Sequence, residues 1–486
     1  MNVFDYLFDT TQSLEKDFVL GPKETISFKK LHENSLKVAS YLKVHVGEDQ
    51  NIALVSPNSV FFITVYLGIL KSGNVCVPLN FTIEQENLDF ILETTACQTV
   101  FMSKNQQSKQ LIGNGILHLD EVILQEILEH QKIEKLPTDC SGNKLAEIIF
   151  TSGSTGSPKG VMISHHNIIA NTGSIIEYLN LTGYDIIAVV LPFFYCYGLS
   201  LLHTHLRVGG SMVLNNSFIF LGSVINDLKK YKCTGFAGVP SHYQILLKKS
   251  QNFKTTHFPD LRYVTQAGGK LHNVFVDEFT QAFPEIDFFI MYGQTEATAR
   301  LSYLPPNMVS KKVGSIGKGI PGVSLKIVDN QGDEVKVGEE GELVAKGENI
   351  MLGYFKEPVE TEKTIKNGWL YTGDIAVADK ENFLYLKARK KEIIKVGGKR
   401  VSPKEIEEVI LSVPEVVDCT ITGVEDDILG ESILATIVLN NPKNQIHMKE
   451  VILSKCVEKL SLYKIPQQMV FENSISISAT GKKIKK

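Results

Sequence analysis

The sequence has few of the features that mark secreted, membrane-spanning or nucleic-acid-binding proteins. Its 486 residues include seven cysteines, which are odd in number, scattered and never spaced as CxxC, so neither a disulfide framework nor a zinc site is expected. The N-terminus has no basic segment before an apolar one, and the longest nearly apolar run, residues 60–70, is shorter than the ~20 residues that cross a bilayer. We expect a cytoplasmic protein with reduced thiols and no membrane span.

The charge balance lacks a strong excess of either sign. Fifty Lys and Arg residues against 54 Asp and Glu residues give a formal net charge of -4. No broad basic field therefore recruits nucleic acid or an anionic membrane surface, and any polyanion must be held locally. Hydrophobic residues make up 43% and charged residues 21% of the chain, which is typical of a globular protein, and the length favours two or three domains.

Short apolar runs alternate with a helical pattern early in the chain. Ile52–Val55 and Val75–Leu79 are predicted as buried strands and Ser59–Lys71 as the helix between them. This order predicts an α/β fold with a largely parallel sheet and helices on its faces. After Gly314 the pattern changes to short, glycine-separated strands, which predicts a small β-rich part. Its strands are predicted at 324–328, 342–345 and 383–386.

Beyond Arg389 the sequence changes again, to a lysine-rich segment, an amphipathic helix, strands and a basic tail. Ser402, Pro403 and Glu405 predict a helix start in which the serine caps the backbone and the glutamate reaches back to the cap. The tail region is long enough for a small α+β domain with its own core. The predicted division is 1–389 for a body of αβ-layered subdomains, with the β-rich part at 314–389, and 390–486 for the C-terminal domain.

A strand-like segment, 146–150, leads into a stretch rich in glycine and hydroxyl side chains, TSGSTGSPKG at 151–160. Glycines let backbone amides approach a ligand, hydroxyls donate to anionic oxygens, and Lys159 supplies a point charge, so the stretch predicts a polyphosphate site. It is not a Walker loop, because Pro158 precedes the lysine. A flexible surface loop is the alternative. The predicted phosphate-binding residues are Thr151, Ser152, Gly153, Ser154, Thr155, Gly156 and Lys159.

The order of residues in this stretch resembles the phosphate loop of the adenylate-forming superfamily. That superfamily contains acyl-CoA synthetases, adenylation domains of nonribosomal peptide synthetases and firefly-type luciferases. Four further segments resemble its motifs, in its order: YGQTE at 292–296, GWLYTGD at 368–374, the basic segment 387–407 and SATGK at 478–482. The resemblance covers residues 146–486, and the glycines at 268–269 and 314–322 also fit it.

The resemblance implies an ATP and magnesium site. Tyr292 would stack on adenine, Thr295 would contact the α-phosphate, and Glu296 would help to hold magnesium, roles that suit these side chains. Thr151 is implied as a second magnesium ligand.

Ribose is implied to bind a carboxylate and a guanidinium. Asp374 would accept hydrogen bonds from both ribose hydroxyls, because a carboxylate is an acceptor with two oxygens, and Arg389 would also contact the ribose. The implied nucleotide site is completed by Gly268, Gly269 and Gly293.

The implied reaction has two steps. A carboxylate attacks the α-phosphorus of ATP, giving acyl-adenylate and pyrophosphate, and a thiol then attacks the activated carbonyl. Lys482 would enter the site for the first step, because a cation offsets the repulsion between two anions. The C-terminal domain is implied to be mobile, with Lys391 as its hinge and Gly398 lining a thiol channel after rotation.

The acid is predicted from the segment PFFYCYGL at 192–199, which resembles the part of the family that binds the substrate. Many acyl-CoA synthetases carry histidine near Tyr195, and amino-acid-activating domains carry aspartate in this segment; this chain has neither. Without a counter-charge an α-ammonium group is costly to bury, so we expect an uncharged acyl or aryl carboxylic acid. The predicted pocket residues are Phe194, Tyr195, Gly238 and Gly268.

Two alternatives stay open. Coenzyme A and the phosphopantetheine arm of a carrier protein end in the same thiol, so the chain is either an acyl-CoA synthetase-like enzyme, the main prediction, or a ligase that loads an acyl or peptidyl carrier protein in trans with an acyl or aminoacyl group. A non-catalytic nucleotide-binding scaffold is the third reading. The presence of Lys482, Glu296 and Asp374 disfavours it, since a scaffold needs no adenylation lysine.

Overall fold

The computed structural model describes residues 1–104, 113, 115–136, 141–151, 158–216, 218, 220–250, 252–426, 428–441, 444–475 and 483. Within these residues the strands form four sheets, of which two are large and mostly parallel and two are small and mostly antiparallel. The predicted α/β class is confirmed.

One large sheet has seven strands in the order β18-β8-β7-β4-β3-β5-β6. Its strands are β3 (Asn51–Val55), β4 (Val75–Leu79), β5 (Thr99–Met102), β6 (Leu117–Leu119), β7 (Leu145–Thr151), β8 (Lys159–Ser164) and β18 (Gly353–Tyr354). The unit predicted around residues 52–79 is present as parallel β3 and β4 joined by helix α3 (Val60–Lys71). Ser59 caps α3 by accepting a hydrogen bond from the Phe62 amide at 3.1 Å, which fixes the start of the helix.

The other large sheet has nine strands in the order β15-β14-β13-β12-β11-β9-β10-β1-β2. Its strands are β1 (Asp17–Leu20), β2 (Ile26–Ser27), β9 (Ile186–Val189), β10 (Ser211–Leu214), β11 (Gly235–Gly238), β12 (Tyr263–Gln266), β13 (Asp287–Tyr292), β14 (Ser302–Leu304) and β15 (Lys318–Gly319). Strands β9 to β13 run parallel, so their carboxyl ends share one edge.

Two buried helices lie between the large sheets. Helix α3 contacts β3 and β4, helix α7 (Cys196–Val208) contacts β9 and β10, and the two helices meet at Tyr66 and His203. The remaining helices are α1 (Val3–Phe8), α2 (Phe28–His45), α4 (Gln85–Thr95), α5 (Glu121–His130), α6 (His165–Leu179), α8 (Leu221–Lys230), α9 (Pro240–Lys249), α10 (Asn273–Ala282), α11 (Pro358–Thr364), α12 (Pro403–Leu411) and α13 (Gln445–Lys459).

The two small sheets follow one another along the chain. The first contains β16 (Val323–Val328), β17 (Gly341–Gly347), β19 (Ile365–Lys366), β20 (Trp369–Ala378) and β21 (Leu384–Arg389), which confirms the predicted β-rich part. The second contains β22 (Ile394–Val396), β23 (Lys399–Val401), β24 (Val416–Asp426), β25 (Gly430–Leu439) and β26 (Gln468–Glu472). A division of the chain at residue 389 stays a prediction.

The side-chain hydrogen bonds predicted to cap the start of helix α12 are wrong. The helix starts at Pro403, as predicted, but the Ser402 side chain makes no capping hydrogen bond. Its hydroxyl donates instead to the Lys387 carbonyl at 2.6 Å. Glu405 pairs with Lys464, with its two oxygens 2.7 and 2.8 Å from the ammonium nitrogen, so tertiary partners replace the local ones.

A buried polar triad joins the seven-stranded sheet to helices α3 and α7. The Tyr66 hydroxyl donates to Glu147 Oε2 at 2.9 Å and lies 2.8 Å from His203 Nε2. Burial raises the pKa of Glu147 to about 7 and lowers the pKa of His203 to about 3. Near neutral pH the imidazole is therefore uncharged, while the carboxyl group is close to its midpoint.

We expect Glu147→Gln to change how stability depends on pH. Because Glu147 binds its proton more tightly in the folded chain, the wild type loses free energy of unfolding as pH rises from about 4.5 to about 7, by roughly 3 kcal/mol at most. The glutamine amide does not titrate and so lacks this loss. The free energy of unfolding of the variant minus that of the wild type therefore rises with pH. Urea unfolding at pH 5, 6, 7 and 8 measures it, with exposed Glu48→Gln as control. A difference that is constant with pH contradicts the assignment.

In the described part of the chain no helix is long and apolar enough to cross a membrane. The six described cysteines are all buried and unlinked, as predicted, and Cys140 lies outside the described residues.

Candidate active site

Four of the residues predicted for the site lie at the carboxyl edge of the nine-stranded sheet: Tyr195, Gly238, Gly268 and Tyr292. Gly238 ends β11, Tyr292 ends β13, and Gly268 follows the end of β12 by two residues. Tyr195 immediately precedes helix α7, on the connection from β9. Open parallel sheets bind ligands outside the carboxyl ends of their strands, so this edge is the candidate site.

The structure brings together the three residues predicted for adenine and ribose. Asp374 and Arg389 lie opposite each other on the paired strands β20 and β21, with Arg389 Nε 3.9 Å from Asp374 Oδ1. The Tyr292 hydroxyl donates to Asp374 Oδ2 at 2.7 Å. Burial, and then the neighbouring Asp374 carboxylate, raise the pKa of Tyr292 well above its usual value, so the hydroxyl stays protonated and remains a donor.

We expect Asp374→Ala to weaken ATP binding. Asp374 is 7% exposed, its carboxylate is already oriented by Tyr292, and the substitution deletes the proposed acceptors for the ribose hydroxyls. The expected loss is about 1–3 kcal/mol, or roughly 5- to 150-fold in Kd. Isothermal titration with ATP measures the change, and Asp333→Ala, at a turn of the β-rich part, is the control. An unchanged ATP Kd in Asp374→Ala contradicts the ribose assignment.

Thr295 and Glu296 lie in a short 3-10 turn after β13. The Thr295 hydroxyl is buried and 3.5 Å from Cys196 Sγ. Glu296 is half-buried, and its Oε1 accepts a hydrogen bond from the Tyr354 hydroxyl at 2.8 Å. Its second oxygen, Oε2, accepts no hydrogen bond from the residues that the structure describes. A carboxylate held by one oxygen with the other available fits a ligand of a hard cation such as magnesium.

The phosphate loop is described only at its two ends. Residues 152–157, which include Ser152, Gly153, Ser154, Thr155 and Gly156, lie outside the described residues. Thr151 and Lys159 are opposite each other on the antiparallel strands β7 and β8, with Thr151 Oγ1 3.5 Å from the Lys159 carbonyl oxygen.

Lys159 has a partner that the sequence analysis did not predict. Its ammonium nitrogen lies 2.6 Å from Glu360 Oε2 and 5.4 Å from the centre of the Tyr354 ring. The hydrogen bond from Lys159, followed by that from Lys363, lowers the pKa of Glu360 to about 2. Tyr354 thus contacts Lys159 and Glu296 together. No local pattern marks Tyr354 or Glu360, because both reach the loop through tertiary pairing of β18 with β8.

The glycines of the site are constrained by close packing or by backbone conformation. A Cβ on Gly293 would lie 1.9 Å from the Ala299 carbonyl oxygen, and a Cβ on Gly269 would lie 3.3 Å from Pro240. Gly268 has a φ of +85°, a conformation that favours glycine. The Gln266 side chain donates to the Gly269 carbonyl at 2.7 Å, which fixes the turn.

The residues predicted for the acid pocket lie on the same edge. Phe194 and Tyr195 are half-buried, whereas Phe193 is 1% exposed and packs on Phe62 with ring centres 5.5 Å apart. Phe193 is therefore a core residue, and the two residues after it are the ones available to a ligand. Gly238 is buried against Tyr243, and a Cβ there would lie 2.9 Å from that ring.

Three residues were predicted to act through the mobile C-terminal domain: Lys391, Gly398 and Lys482. Lys391 is exposed in the turn between β21 and β22, and Gly398 is exposed in the turn between β22 and β23. Lys482 lies outside the described residues. Its neighbour Lys483 is described, and it pairs with Asp418 and donates to the Cys419 carbonyl at 3.0 Å.

Comparisons with known proteins find CoA ligases that this chain resembles in sequence and fold. A long-chain-fatty-acid–CoA ligase of Escherichia coli is 28% identical over 507 residues, covering 94% of this chain and 89% of the relative. The crystal structure of an anthranilate CoA ligase with anthranoyl-AMP superposes with a TM-score of 0.92 at 24% identity, covering 99% and 95% of the two chains. The o-succinylbenzoate coenzyme A synthetase of Bacillus subtilis, solved with ATP and magnesium, gives 0.85 at 25% identity, covering 99% and 98%.

Family models match both parts of the chain. The model described as AMP-binding enzyme C-terminal domain matches residues 405–482. The model described as AMP-binding enzyme matches residues 9–355, which is more than half of the chain. The chain therefore belongs to the AMP-binding enzyme family.

Proposed function

We propose that this chain activates a carboxylic acid with ATP, forming an acyl-adenylate and pyrophosphate, and then transfers the acyl group to coenzyme A. The observation that carries the proposal is the hydrogen-bonded contact of Tyr292 with Asp374, with Arg389 beside them. It joins an aromatic face, a carboxylate and a guanidinium at the edge where parallel strands bind ligands. Family membership and the CoA ligases among its relatives support the reaction type.

ATP would bind with its adenosine against these three residues. The Asp374 carboxylate has about four acceptor positions, so the bond from Tyr292 leaves positions for the ribose hydroxyls. The Tyr292 ring offers a stacking face to adenine. The triphosphate would extend toward Thr295, Lys159 and the loop between β7 and β8.

The first step needs charge stabilisation rather than a protein nucleophile. The carboxylate oxygen of the acid bonds to the α-phosphorus, the bond to the pyrophosphate oxygen breaks, and pyrophosphate leaves with the electron pair. The Thr295 hydroxyl would donate to the α-phosphate, and Lys482 would stand between the two anions. Glu296 and Thr151 would hold magnesium, which supplies charge that neutralises the phosphates.

The second step forms the thioester. The thiol sulfur of coenzyme A attacks the acyl carbonyl carbon, the bond to the AMP oxygen breaks, and the thiol proton passes to solvent. The C-terminal domain would rotate at Lys391 and bring the turn with Gly398 to the site. Gly398 has a φ of +77° and no atom within 4 Å of the place where a Cβ would be, which suits a narrow contact made only after rotation.

The acid is proposed to be uncharged apart from its carboxylate. Phe194, Tyr195, Gly238 and Gly268 give the pocket aromatic and small surfaces without an acidic side chain among them. An α-ammonium group would lose its hydration here without a counter-charge.

Exchange of labelled pyrophosphate into ATP, run over a panel of acids, tests the first step. Octanoate, palmitate, benzoate and 2-aminobenzoate sample acyl and aryl acids. The matched pair 3-phenylpropanoate and phenylalanine differs only by the α-ammonium group, and we expect exchange only with the former. No exchange with any acid, despite ATP binding, would favour a non-catalytic scaffold.

The acceptor is tested with the best acid of that panel. We expect thioester formation with coenzyme A as free thiol acceptor. A phosphopantetheine-bearing carrier protein is offered in parallel. Transfer to the carrier protein alone would contradict the coenzyme A proposal and favour a ligase that loads carriers in trans.

A further inference from the structure

Glu296, the carboxylate that the proposed function gives to magnesium, is held in place by a second segment of the chain. The Met351 N–H donates to the Glu296 carbonyl at 3.0 Å, and the Tyr354 hydroxyl donates to Glu296 Oε1 at 2.8 Å. Residues 351–354, which lie in strand β18 and just before it, therefore fix both the backbone and the side chain of Glu296.

Tyr354 is itself anchored on the strand that leaves the phosphate loop. Its N–H donates to the Thr361 hydroxyl at 2.9 Å, and its strand, β18, pairs with β8. The Phe355 N–H extends this pairing by donating to the Gly160 carbonyl at 2.8 Å. Strand β8 begins at Lys159, whose ammonium nitrogen lies 5.4 Å from the centre of the Tyr354 ring. The hydroxyl thus reaches Glu296 from a well-supported position.

The Glu296 carboxylate lies within electrostatic reach of the residues assigned to the nucleotide. Burial alone would lower the pKa of Arg389, but the charges of Asp374 and, to a smaller extent, Glu296 raise it above its usual value. Only one oxygen of Glu296 is bonded by Tyr354. In the part of the chain that the structure describes, Oε2 accepts no hydrogen bond, so this oxygen is the one that is available to a cation.

Magnesium and calcium differ in what they require of a carboxylate. Mg²⁺ is small, needs near-octahedral geometry and usually keeps several waters beside one or two carboxylates. Ca²⁺ accepts more oxygens at longer distances, in flexible geometry, and often takes both oxygens of one carboxylate. A carboxylate that is held through Oε1 presents a single oxygen in a fixed direction, which suits Mg²⁺ better than Ca²⁺.

We infer that Tyr354 holds Glu296 as a one-oxygen ligand and thereby sets the preference of the ATP site for Mg²⁺ over Ca²⁺. The inference rests on the proposed function for the place of the cation beside ATP. Tyr354 is a positioning residue in this scheme, because it contacts the carboxylate and acts on the cation only through it. Loss of a hydrogen-bond partner behind a metal ligand typically lowers metal affinity by about 10- to 100-fold. We expect the lower end of this range, since the phosphates of ATP hold the cation as well.

Tyr354→Phe tests the inference, because it removes the hydroxyl and keeps the ring beside Lys159. Isothermal titration gives the Kd of ATP in EDTA, in Mg²⁺ and in Ca²⁺. The metal-free Kd divided by the Kd with a cation measures the coupling between that cation and ATP on the protein. We expect this ratio to fall about tenfold for Mg²⁺ and less than about threefold for Ca²⁺, with the metal-free Kd within about threefold of wild type. An unchanged metal-free Kd also shows that the variant has folded.

Tyr231→Phe is the matched control. Tyr231 also lies beside a lysine, with the Lys230 ammonium nitrogen 5.1 Å from its ring centre. Its hydroxyl makes no hydrogen bond with the residues that the structure describes, and it precedes β11, at the edge of the sheet opposite the candidate site. Both ratios should stay at their wild-type values in this variant.

A double variant separates an effect through Glu296 from a general disturbance of the site. In a Glu296→Gln background, Tyr354→Phe should not lower the Mg²⁺ ratio further, because the carboxylate through which it acts is already absent. A further fall in the double variant would overturn the inference. An unchanged Mg²⁺ ratio in Tyr354→Phe, or equal falls for Mg²⁺ and Ca²⁺, would overturn it too.

These titrations need ATP but no acid. Absence of pyrophosphate exchange with every acid of the panel would contradict the proposed function. The ATP titrations in the two cations would still decide whether Tyr354 sets the metal preference.

Discussion

Replacing Lys482 with alanine is expected to lower pyrophosphate exchange by about 10²- to 10³-fold while ATP binding changes little. In the proposed first step the acid carboxylate approaches the anionic α-phosphate, and charge grows on the bridging oxygens. Removing a preorganised cation or hydrogen-bond donor from such a position typically lowers the rate by about 10²- to 10³-fold. In the proposed function ATP is held at Asp374 and Tyr292, and the hydrogen bond between these two residues does not involve Lys482.

The matched control for this variant is Lys486→Ala, which removes a lysine from the same basic tail. Thioester formation from a chemically prepared acyl-adenylate provides a second comparison. Because that step needs no attack on phosphorus, Lys482→Ala should retain it. Undiminished pyrophosphate exchange in Lys482→Ala would show that the role given to this lysine is wrong.

Gly293→Ala is expected to lower activity strongly by displacing the backbone. The added Cβ would lie 1.9 Å from the carbonyl oxygen and 2.7 Å from the carbonyl carbon of Ala299, and 2.9 Å from the Cα of Arg300. None of these atoms is at the end of a flexible side chain, so the turn after β13 must move. That turn carries Thr295 and Glu296, and we expect exchange to fall by about 10²-fold or more.

The same variant should lose about 1–3 kcal/mol in free energy of unfolding, the usual cost of inserting a methyl group into a packed site. Gly222→Ala is the control. Gly222 lies in helix α8, no atom lies within 4 Å of the added Cβ, and alanine is the better helix former, so this variant should be active and slightly more stable. Exchange assays and urea unfolding measure both effects. A Gly293→Ala enzyme with wild-type activity would contradict the importance of this close approach.

Residue identity in ordered motifs was enough to predict that Tyr292, Asp374 and Arg389 belong to one site, and the structure places them together. Tyr292, Asp374 and Arg389 are far apart in sequence, and the structure joins them because β13, β20 and β21 end or pair at one edge. The strands and the helix at 52–79 were predictable for a related reason, since periodicity and the cap at Ser59 act within a few residues.

What the sequence could not predict depends on contacts between distant segments. Tyr354 and Glu360 reach Glu296 and Lys159 only because β18 pairs with β8. Ser402 has the residue type of a cap but bonds the Lys387 carbonyl, which the fold brings near it. A local motif states which hydrogen bonds a side chain is able to make, and tertiary packing decides which it makes.

The ion pair between Lys159 and Glu360 has a consequence for nucleotide affinity. If Lys159 binds a phosphate of ATP, it must first leave a carboxylate 2.6 Å away, so binding exchanges one anionic partner for another. The electrostatic free energy that Lys159 contributes to ATP binding is then its attraction to the phosphate minus its lost attraction to Glu360. Dissolved salt screens both attractions, so the contribution of Lys159 to affinity should depend less on ionic strength than that of a lysine with no carboxylate partner.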